Sequence, residues 1–142
     1  MKLVIGNDHA GVDLKNTIKE HLRKQGYEVI NVGTDTLDSV DYPDIARKVS
    51  EVVLDGKAQY GILICGTGIG ISISANKVEG IRAALVYNEF TARLSRLHND
   101  ANIIALGARV IGDELAKACV DTFIATEFEG GRHARRVGKI EG

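Results

Sequence analysis

The residues of this chain that could do chemistry are concentrated in the segment 59–76, QYGILICGTGIGISISAN. A short apolar run ends in Cys65, and three glycines, Gly66, Gly68 and Gly70, follow it. A strand, a glycine turn and a helix in this order direct backbone N–H groups and the positive end of the helix dipole towards one point. A thiol beside a helix N terminus is deprotonated more readily than one in free solution. The segment therefore predicts a small-anion site with a reactive cysteine at its mouth.

Two common nucleotide-binding motifs do not fit this glycine turn. A dinucleotide fingerprint G-x-G-x-x-G that starts at Gly66 requires glycine where the chain has Ile71, and no Walker A sequence G-K-[ST] follows. Glu89 does lie at about the distance expected for a ribose-binding acid. Nucleotide binding is therefore kept as a weaker alternative, beside a turn with a purely structural role.

Length and composition are those of one ordinary globular domain. The chain has 142 residues, of which 44% are hydrophobic and 26% charged, and its formal net charge is −1. This balance provides no field that would attract nucleic acid or an acidic membrane. Residues 1–6 become polar too soon for a signal peptide, and two cysteines, Cys65 and Cys119, form no disulfide framework. We therefore expect a cytoplasmic protein without nucleic-acid or membrane partners, with Cys119 packed in the core.

Apolar runs of strand length alternate with longer segments of helical period. The predicted strands cover residues 2–6, 27–32, 60–64, 83–86 and 103–106, and the predicted helices cover 12–25, 44–54, 69–77, 89–97 and 113–126. Five β-α units predict a parallel sheet with helices on both faces, in a single domain over residues 1–142. Residues 130–142 are interpreted as a polar, basic C-terminal tail and not as another element.

Reactive side chains follow several of the predicted strands. In open α/β sheets the ligand binds outside the carboxyl ends of the strands. The first strand leads into Asp8 and His9, the second into the long loop 33–42, the third into Cys65 and the fifth into Arg109. This edge of the sheet therefore combines a carboxylate, an imidazole, a thiol and a guanidinium group.

Seven motifs resemble those of the B-type ribose-5-phosphate isomerases and of their relatives, the allose- and galactose-6-phosphate isomerases. They are GNDHAG, DYPD (41–44), CGTGIGISISANK (65–77), GIRAALV, RLHNDANI, GARVIG and GGRHARRV. The resemblance covers the whole chain, and CGTGIG and HNDAN are specific. It implies a Rossmann-like three-layer α/β/α sandwich around a five-stranded parallel sheet, assembled as a homodimer or tetramer. It also implies isomerisation of ribose 5-phosphate and ribulose 5-phosphate in the pentose phosphate pathway, without metal or cofactor.

The resemblance implies catalytic roles as well. Cys65 is the base that moves a proton between the first two sugar carbons, and Thr67 assists it or binds a sugar hydroxyl. His98 opens the sugar ring, and Tyr42 is a candidate to assist it in this step. Some family members place a glutamate base slightly later in the glycine loop, where this chain has glycine and isoleucine. The chain is therefore assigned to the cysteine-base branch.

The other implied site residues bind the substrate, with the amides of the glycine turn stabilising an enediolate. The substrate-binding set is Asp8, His9, Tyr42, Gly66, Thr67, Gly68, Ile69, Gly70 and Asn99, and the phosphate-binding set is His9, Arg109, Arg132 and Arg136.

Each candidate also has a structural interpretation. A histidine near a helix end, such as His98, can interact with the helix dipole, and Asp8 with His9 can cap the first helix. The acids at every third position from 35 to 44 could suggest a metal, but loop solvation and capping account for them. Arg132 and Arg136 can belong to a solvated tail, and they share a face only if that segment is helical.

The position of His98 predicts a site shared between subunits. The fourth helix starts at the carboxyl edge of the sheet and spans about 13 Å, so His98 and Asn99 lie at the opposite edge from Cys65. A two-fold dimer would bring each pair to the partner's cleft. Two other functions stay open: a hexose 6-phosphate isomerase on the same scaffold and a non-catalytic nucleotide-binding module.

Overall fold

Strands and helices alternate along the whole computed structural model, which describes residues 1–142. The strands are β1 (Lys2–Asn7), β2 (Glu28–Asn31), β3 (Tyr60–Cys65), β4 (Ala83–Leu85) and β5 (Ile103–Gly107). The helices are α1 (Val12–Lys24), α2 (Tyr42–Leu54), α3 (Ile69–Asn76), α4 (Glu89–Leu97), α5 (Asp113–Ala125) and α6 (Arg132–Glu141). One turn of 3-10 helix, His9–Gly11, joins β1 to α1. The ten predicted elements are thereby confirmed. None of the helices is both long and apolar enough to cross a membrane.

The five strands form one parallel sheet in the order β2-β1-β3-β5-β4. Its central strands β3 and β5 are buried along their whole length, because helices cover both faces of the sheet. One core cluster packs α1, α4 and α5 against the first face, and a second packs α2 and α3 against the other. The predicted three-layer α/β/α sandwich is therefore confirmed.

Cys119 lies in the first of these clusters, as predicted from its place on an apolar helical stripe. Its side chain is fully buried on α5. Burial, with a smaller contribution from the negative charge of Glu89, raises the pKa of the Cys119 thiol to about 11. This thiol is therefore a packing residue and stays protonated at neutral pH.

Helix α6 shows that the interpretation of residues 130–142 as a tail is wrong. Only His133 is buried on this helix, so its sequence carries almost no apolar stripe that would predict it. Contacts with distant residues hold it instead: the His133 ring stacks on His98, and Glu141 pairs with Arg82 at 2.7 Å. The helix depends on tertiary packing that local sequence does not reveal.

Candidate active site

The carboxyl ends of β1, β3 and β5 lie side by side and form the floor of the candidate site. The strand register pairs Asn7 with Ile64 and Cys65 with Gly107. The backbone N–H of Asp8 donates to the carbonyl of Ile64 at 3.1 Å, which continues the β1–β3 pairing past the end of β1. Asp8, Cys65 and the segment after Gly107 therefore meet at one edge of the sheet.

The glycine turn after β3 holds the Cys65 sulfur at the N terminus of α3. Gly68 has φ of +82°, and a Cβ atom at this position would lie 2.6 Å from Leu85 Cδ1, so only glycine fits. The N–H of Gly68 donates to Cys65 Sγ at 3.2 Å. The positive end of the α3 dipole therefore lies beside the sulfur.

Three amides of the turn are left without a partner in the chain. The Ile69 N–H donates to Thr67 Oγ1 at 3.1 Å, and the Gly68 N–H is used by the sulfur. The N–H groups of Gly66, Thr67 and Gly70 make no hydrogen bond within the chain. These three donors are the ones that an anion could accept from.

Arg109 lies over the same turn. Its backbone N–H donates to the Gly66 carbonyl at 2.9 Å, and a Cβ atom on Gly66 would lie 3.2 Å from Arg109 Nη1. The hydroxyl of Tyr87 donates to the Thr67 carbonyl at 3.1 Å and fixes the other side of the turn. An anion bound at the free amides would therefore have a guanidinium group beside it.

Tyr42 covers the first turn of α3 at Gly70. A Cβ atom on Gly70 would lie 2.6 Å from the Tyr42 ring and 2.8 Å from its hydroxyl oxygen. A glutamate in this position would therefore displace the ring. The contact agrees with the assignment of the chain to the cysteine-base branch, in which this position carries no base.

Asp8 and His9 each accept a hydrogen bond from a backbone N–H group. Asp8 Oδ1 accepts from the Ala10 N–H at 3.0 Å and caps the 3-10 turn. His9 Nδ1 accepts from the Val40 N–H at 3.3 Å. An accepting Nδ1 leaves Nε2 to carry the ring proton, so Nε2 of His9 is free to donate to a ligand.

A buried lysine fastens the loop that follows β2. The Lys15 side chain is fully buried, and its Nζ donates to the Thr34 carbonyl at 2.6 Å and forms an ion pair with Asp35. Hydrogen bonds from Lys15, and secondly from Asn31, lower the pKa of the Asp35 carboxyl. Asp35 is thus a structural residue of the loop that brings Val40 to His9 and Tyr42 to α3.

His98 lies at the opposite edge of the sheet from Cys65. Helix α4 starts at the carboxyl edge, after β4, and His98 caps its other end, shortly before β5 begins. Arg96 fixes this end by donating to the Ala101 carbonyl at 2.7 Å. Asn99 lines a cleft of about 500 Å³ beside the residues that precede β4. Within one chain, His98 and Asn99 are therefore separated from Cys65 by the length of the strands.

Helix α6 places two more site candidates beside His98. Arg132 and Arg136 are exposed and flank His133, whose ring stacks on His98 with 4.2 Å between centroids and 12° between planes. The structure thus divides the predicted phosphate-binding residues into two groups. His9 and Arg109 lie with Cys65, whereas Arg132 and Arg136 lie with His98.

A cluster around His98 was not predicted from the sequence. His98, Glu129 and His133 each offer one potential ligand atom, and these atoms lie within 4.8 Å of one another. Nε2 of His133 is buried without a hydrogen-bond partner in the chain. Burial, followed by the charges of His98 and Arg132, lowers the pKa of His133. The cluster joins the end of α4 to the start of α6, so no local spacing reveals it.

Known proteins share both this sequence and this fold. The family model described as Ribose/Galactose Isomerase matches residues 3–140. Ribose-5-phosphate isomerase B of Escherichia coli K12 is 50% identical over 139 residues, 98% of this chain and 93% of the relative. D-erythrulose-4-phosphate isomerase of Pectobacterium atrosepticum is 48% identical over 141 residues, 99% and 93% of the two chains. The solved structure of Clostridium thermocellum ribose-5-phosphate isomerase B has a TM-score of 0.98 at 60% identity and covers 99% and 95%.

A Rossmann-like sheet with a thiol, a glycine turn and basic groups at its carboxyl edge defines an α/β enzyme that acts on a small anionic substrate. The chain belongs to the ribose/galactose isomerase family, as its motifs predict, and it is an aldose–ketose isomerase of that family.

Proposed function

We propose that this chain interconverts ribose 5-phosphate and ribulose 5-phosphate through an enediolate, in the pentose phosphate pathway of the cytoplasm. The observation that carries the proposal is the position of Cys65, whose sulfur lies at the N terminus of α3 beside unpartnered amides. Similarity to ribose-5-phosphate isomerase B of two bacteria supports a five-carbon substrate. Both cysteines are free thiols, which agrees with a reducing compartment.

The reaction needs two kinds of proton transfer. His98 opens the ring by moving the proton of the anomeric hydroxyl to the ring oxygen. The Cys65 thiolate then takes the proton from the second carbon, which leaves an enediolate, and returns it to the first carbon, while the hydroxyl proton moves from the oxygen of the second carbon to the oxygen of the first. The free amides of Gly66, Thr67 and Gly70 stabilise the negative charge that develops on the enediolate oxygens.

The two groups of site residues are assigned to two subunits of a homodimer. Exposed apolar side chains lie next to the glycine turn: Ile69 and Ile73, one turn apart on α3, are 47% and 56% exposed. Phe90 at the start of α4 is 63% exposed. Apolar surface of this kind is typical of an interface. A partner subunit docked here would cover this apolar surface and bring its His98, Asn99 and α6 arginines to the cleft. A tetramer built from two such dimers would have the same shared active sites.

The number of carbon atoms in the substrate is the open part of the proposal. A relative named D-erythrulose-4-phosphate isomerase is nearly as similar as the pentose enzyme, and the resemblance also includes hexose isomerases. Ribose 5-phosphate, allose 6-phosphate, galactose 6-phosphate and D-erythrulose 4-phosphate should be assayed side by side. We expect the highest kcat/KM with ribose 5-phosphate. A higher value with another sugar would change the assigned substrate, and nucleotide binding without turnover of any of them would overturn the function.

Replacing Arg132 or Arg136 by alanine should weaken binding of the substrate phosphate. Loss of one charge-assisted hydrogen bond costs roughly 1.5–3 kcal/mol, which corresponds to about a 10- to 150-fold change. Because the phosphate does not react, most of the change should appear in KM and little in kcat. Arg135→Ala is the matched control, since it removes the same charge from the same helix outside the predicted pair. Wild-type KM values for both variants would assign these arginines to the solvated surface.

Chelation should leave the isomerase activity intact. The free amides and Arg109 provide the positive potential that the enediolate and the phosphate require. The measurement is the rate with ribose 5-phosphate before and after exhaustive EDTA treatment and desalting. A rate that falls and returns on addition of Mg²⁺ or Zn²⁺ would contradict the proposed mechanism.

A further inference from the structure

The ring of His133 lies face to face with the ring of His98, the residue to which the proposed function gives ring opening. The two ring centroids are 4.2 Å apart, and the ring planes differ by 12°. His133 is 4% exposed, whereas His98 at the end of α4 is half-buried. One face of the His98 imidazole is therefore covered by an aromatic ring. The edge of the imidazole, which carries both nitrogen atoms, is not blocked by this contact.

Backbone contacts place His133 at this point. The N–H of Glu129 donates to the last carbonyl of α4 at 3.1 Å, so the segment before α6 runs beside the end of α4. Gly130 and Gly131 follow with φ of +72° and +58°, a conformation that favours glycine, and α6 starts directly after them. His133 is the buried residue of α6. The side chain that attaches this helix to the domain is thus the one that covers His98.

The surroundings of His133 favour the neutral form of its ring. Nε2 is buried and has no hydrogen-bond partner in the chain, and a protonated ring would carry an N–H donor on this nitrogen. Burial lowers the pKa of His133, and the charges of His98, Arg132 and Arg136 lower it further. The charge of Glu129 acts in the opposite direction. His133 therefore presents a neutral aromatic face at neutral pH.

Ring opening gives the His98 imidazole a transient positive charge. In the proposed function, one ring nitrogen takes the proton of the anomeric hydroxyl, and the electron pair left on that oxygen forms the carbonyl. The bond between the first carbon and the ring oxygen breaks, and the ring oxygen takes the proton from His98. Both transfers depend on the angle of the imidazole plane, because the nitrogen lone pair lies in that plane. A neutral aromatic face also attracts a cation that lies over it.

We propose that His133 is a positioning residue for ring opening: its ring fixes the plane of the His98 imidazole and stabilises the imidazolium that forms during proton transfer. This inference rests on the proposed function, in which His98 acts on the cyclic sugar. A residue with this role matters for ribose 5-phosphate, which is cyclic. Ribulose 5-phosphate cannot close a five-membered ring, because the oxygen that would close it carries the phosphate. The reverse reaction therefore needs no ring opening.

The experiment compares kcat in the two directions for His133→Leu and His133→Phe, with both sugars followed by NMR. Leucine fills the buried position without an aromatic face. His133→Leu should lower kcat from ribose 5-phosphate by roughly 10- to 100-fold, since a misplacement of about 1 Å can cost about 100-fold. It should keep nearly the wild-type kcat from ribulose 5-phosphate. Phenylalanine restores the aromatic face, so His133→Phe should keep the wild-type ratio of the two kcat values.

Two further variants calibrate this comparison. His98→Ala should show the same loss confined to the cyclic substrate, because it removes the ring-opening group itself. His21→Leu is the matched control, since His21 pairs with Asp121 at 2.9 Å between α1 and α5 and its replacement should leave both kcat values unchanged. A loosened α6 would raise KM in both directions through its arginines, and kcat at saturation separates that effect from the one proposed.

Three outcomes would overturn the inference. The first is wild-type kcat in both directions for His133→Leu, and the second is an equal loss in both directions in a protein with a wild-type thermal unfolding curve. The third is a selective loss of the ribose 5-phosphate reaction in His133→Phe, which tests the aromatic face even if His133→Leu does not fold. A wild-type protein that converts neither sugar would instead overturn the proposed function, and an equal loss in both directions for His98→Ala would contradict the role given to His98.

Discussion

Cys65→Ala is expected to lose isomerase activity while it still binds ribose 5-phosphate. Removing a general base lowers kcat by roughly 100- to 10,000-fold, and here the same group removes and returns the proton. The contacts proposed for the phosphate, from His9, Arg109 and the α6 arginines, do not involve the sulfur. The rate is measured in a coupled assay, and binding is measured separately by calorimetry with the inactive variant.

Cys119→Ala is the control for this experiment. Its thiol is buried on α5 and takes no part in the candidate site, so its loss should change stability more than activity. Cys65→Ser adds a second comparison, because a hydroxyl accepts the Gly68 hydrogen bond but is a much weaker base than a thiolate at neutral pH. Turnover by Cys65→Ala near the wild-type rate would exclude this residue as the base.

The sheet and its five covering helices could be predicted because their signals are local. Each strand is a short apolar run, and each helix repeats its apolar residues at the helical period. The connection rules for parallel βαβ units then allow only a few sheet topologies. The same regularity locates Asp8, Cys65 and Arg109 at one edge, since each directly follows a strand. The site residues that follow the strand ends could therefore be predicted from the sequence pattern.

The region around α6 could not be predicted for the opposite reason. Its helix is held by one buried histidine and one ion pair to Arg82, both of which depend on residues far away in the chain. The hydrogen-bond acceptors of the Gly68 and Ile69 amides could not be predicted from the sequence either. A glycine-rich segment does not specify which of its amides faces the sulfur. Contacts between distant segments carry this information.

The second large effect should appear when two inactive variants are mixed. Helix α4 has nine residues and spans about 13 Å, and His98 caps its far end, so His98 cannot reach Cys65 of its own chain. The chemistry nevertheless needs a ring-opening group beside the base. The proposed two-fold dimer would resolve this, because it would offer His98 of each subunit to the glycine turn of the other.

Cys65→Ala and His98→Ala should therefore complement each other after reversible dissociation and mixing in equal amounts. Each heterodimer contains one site in which Cys65 and His98 are both present and one site that lacks both. Random pairing makes half of the dimers mixed, so about a quarter of the wild-type activity should return. The matched control mixes Cys65→Ala with the double variant Cys65→Ala/His98→Ala, in which no pairing creates an intact site. If both residues acted within one chain, every site in the first mixture would also be damaged, and the two mixtures would be equally inactive.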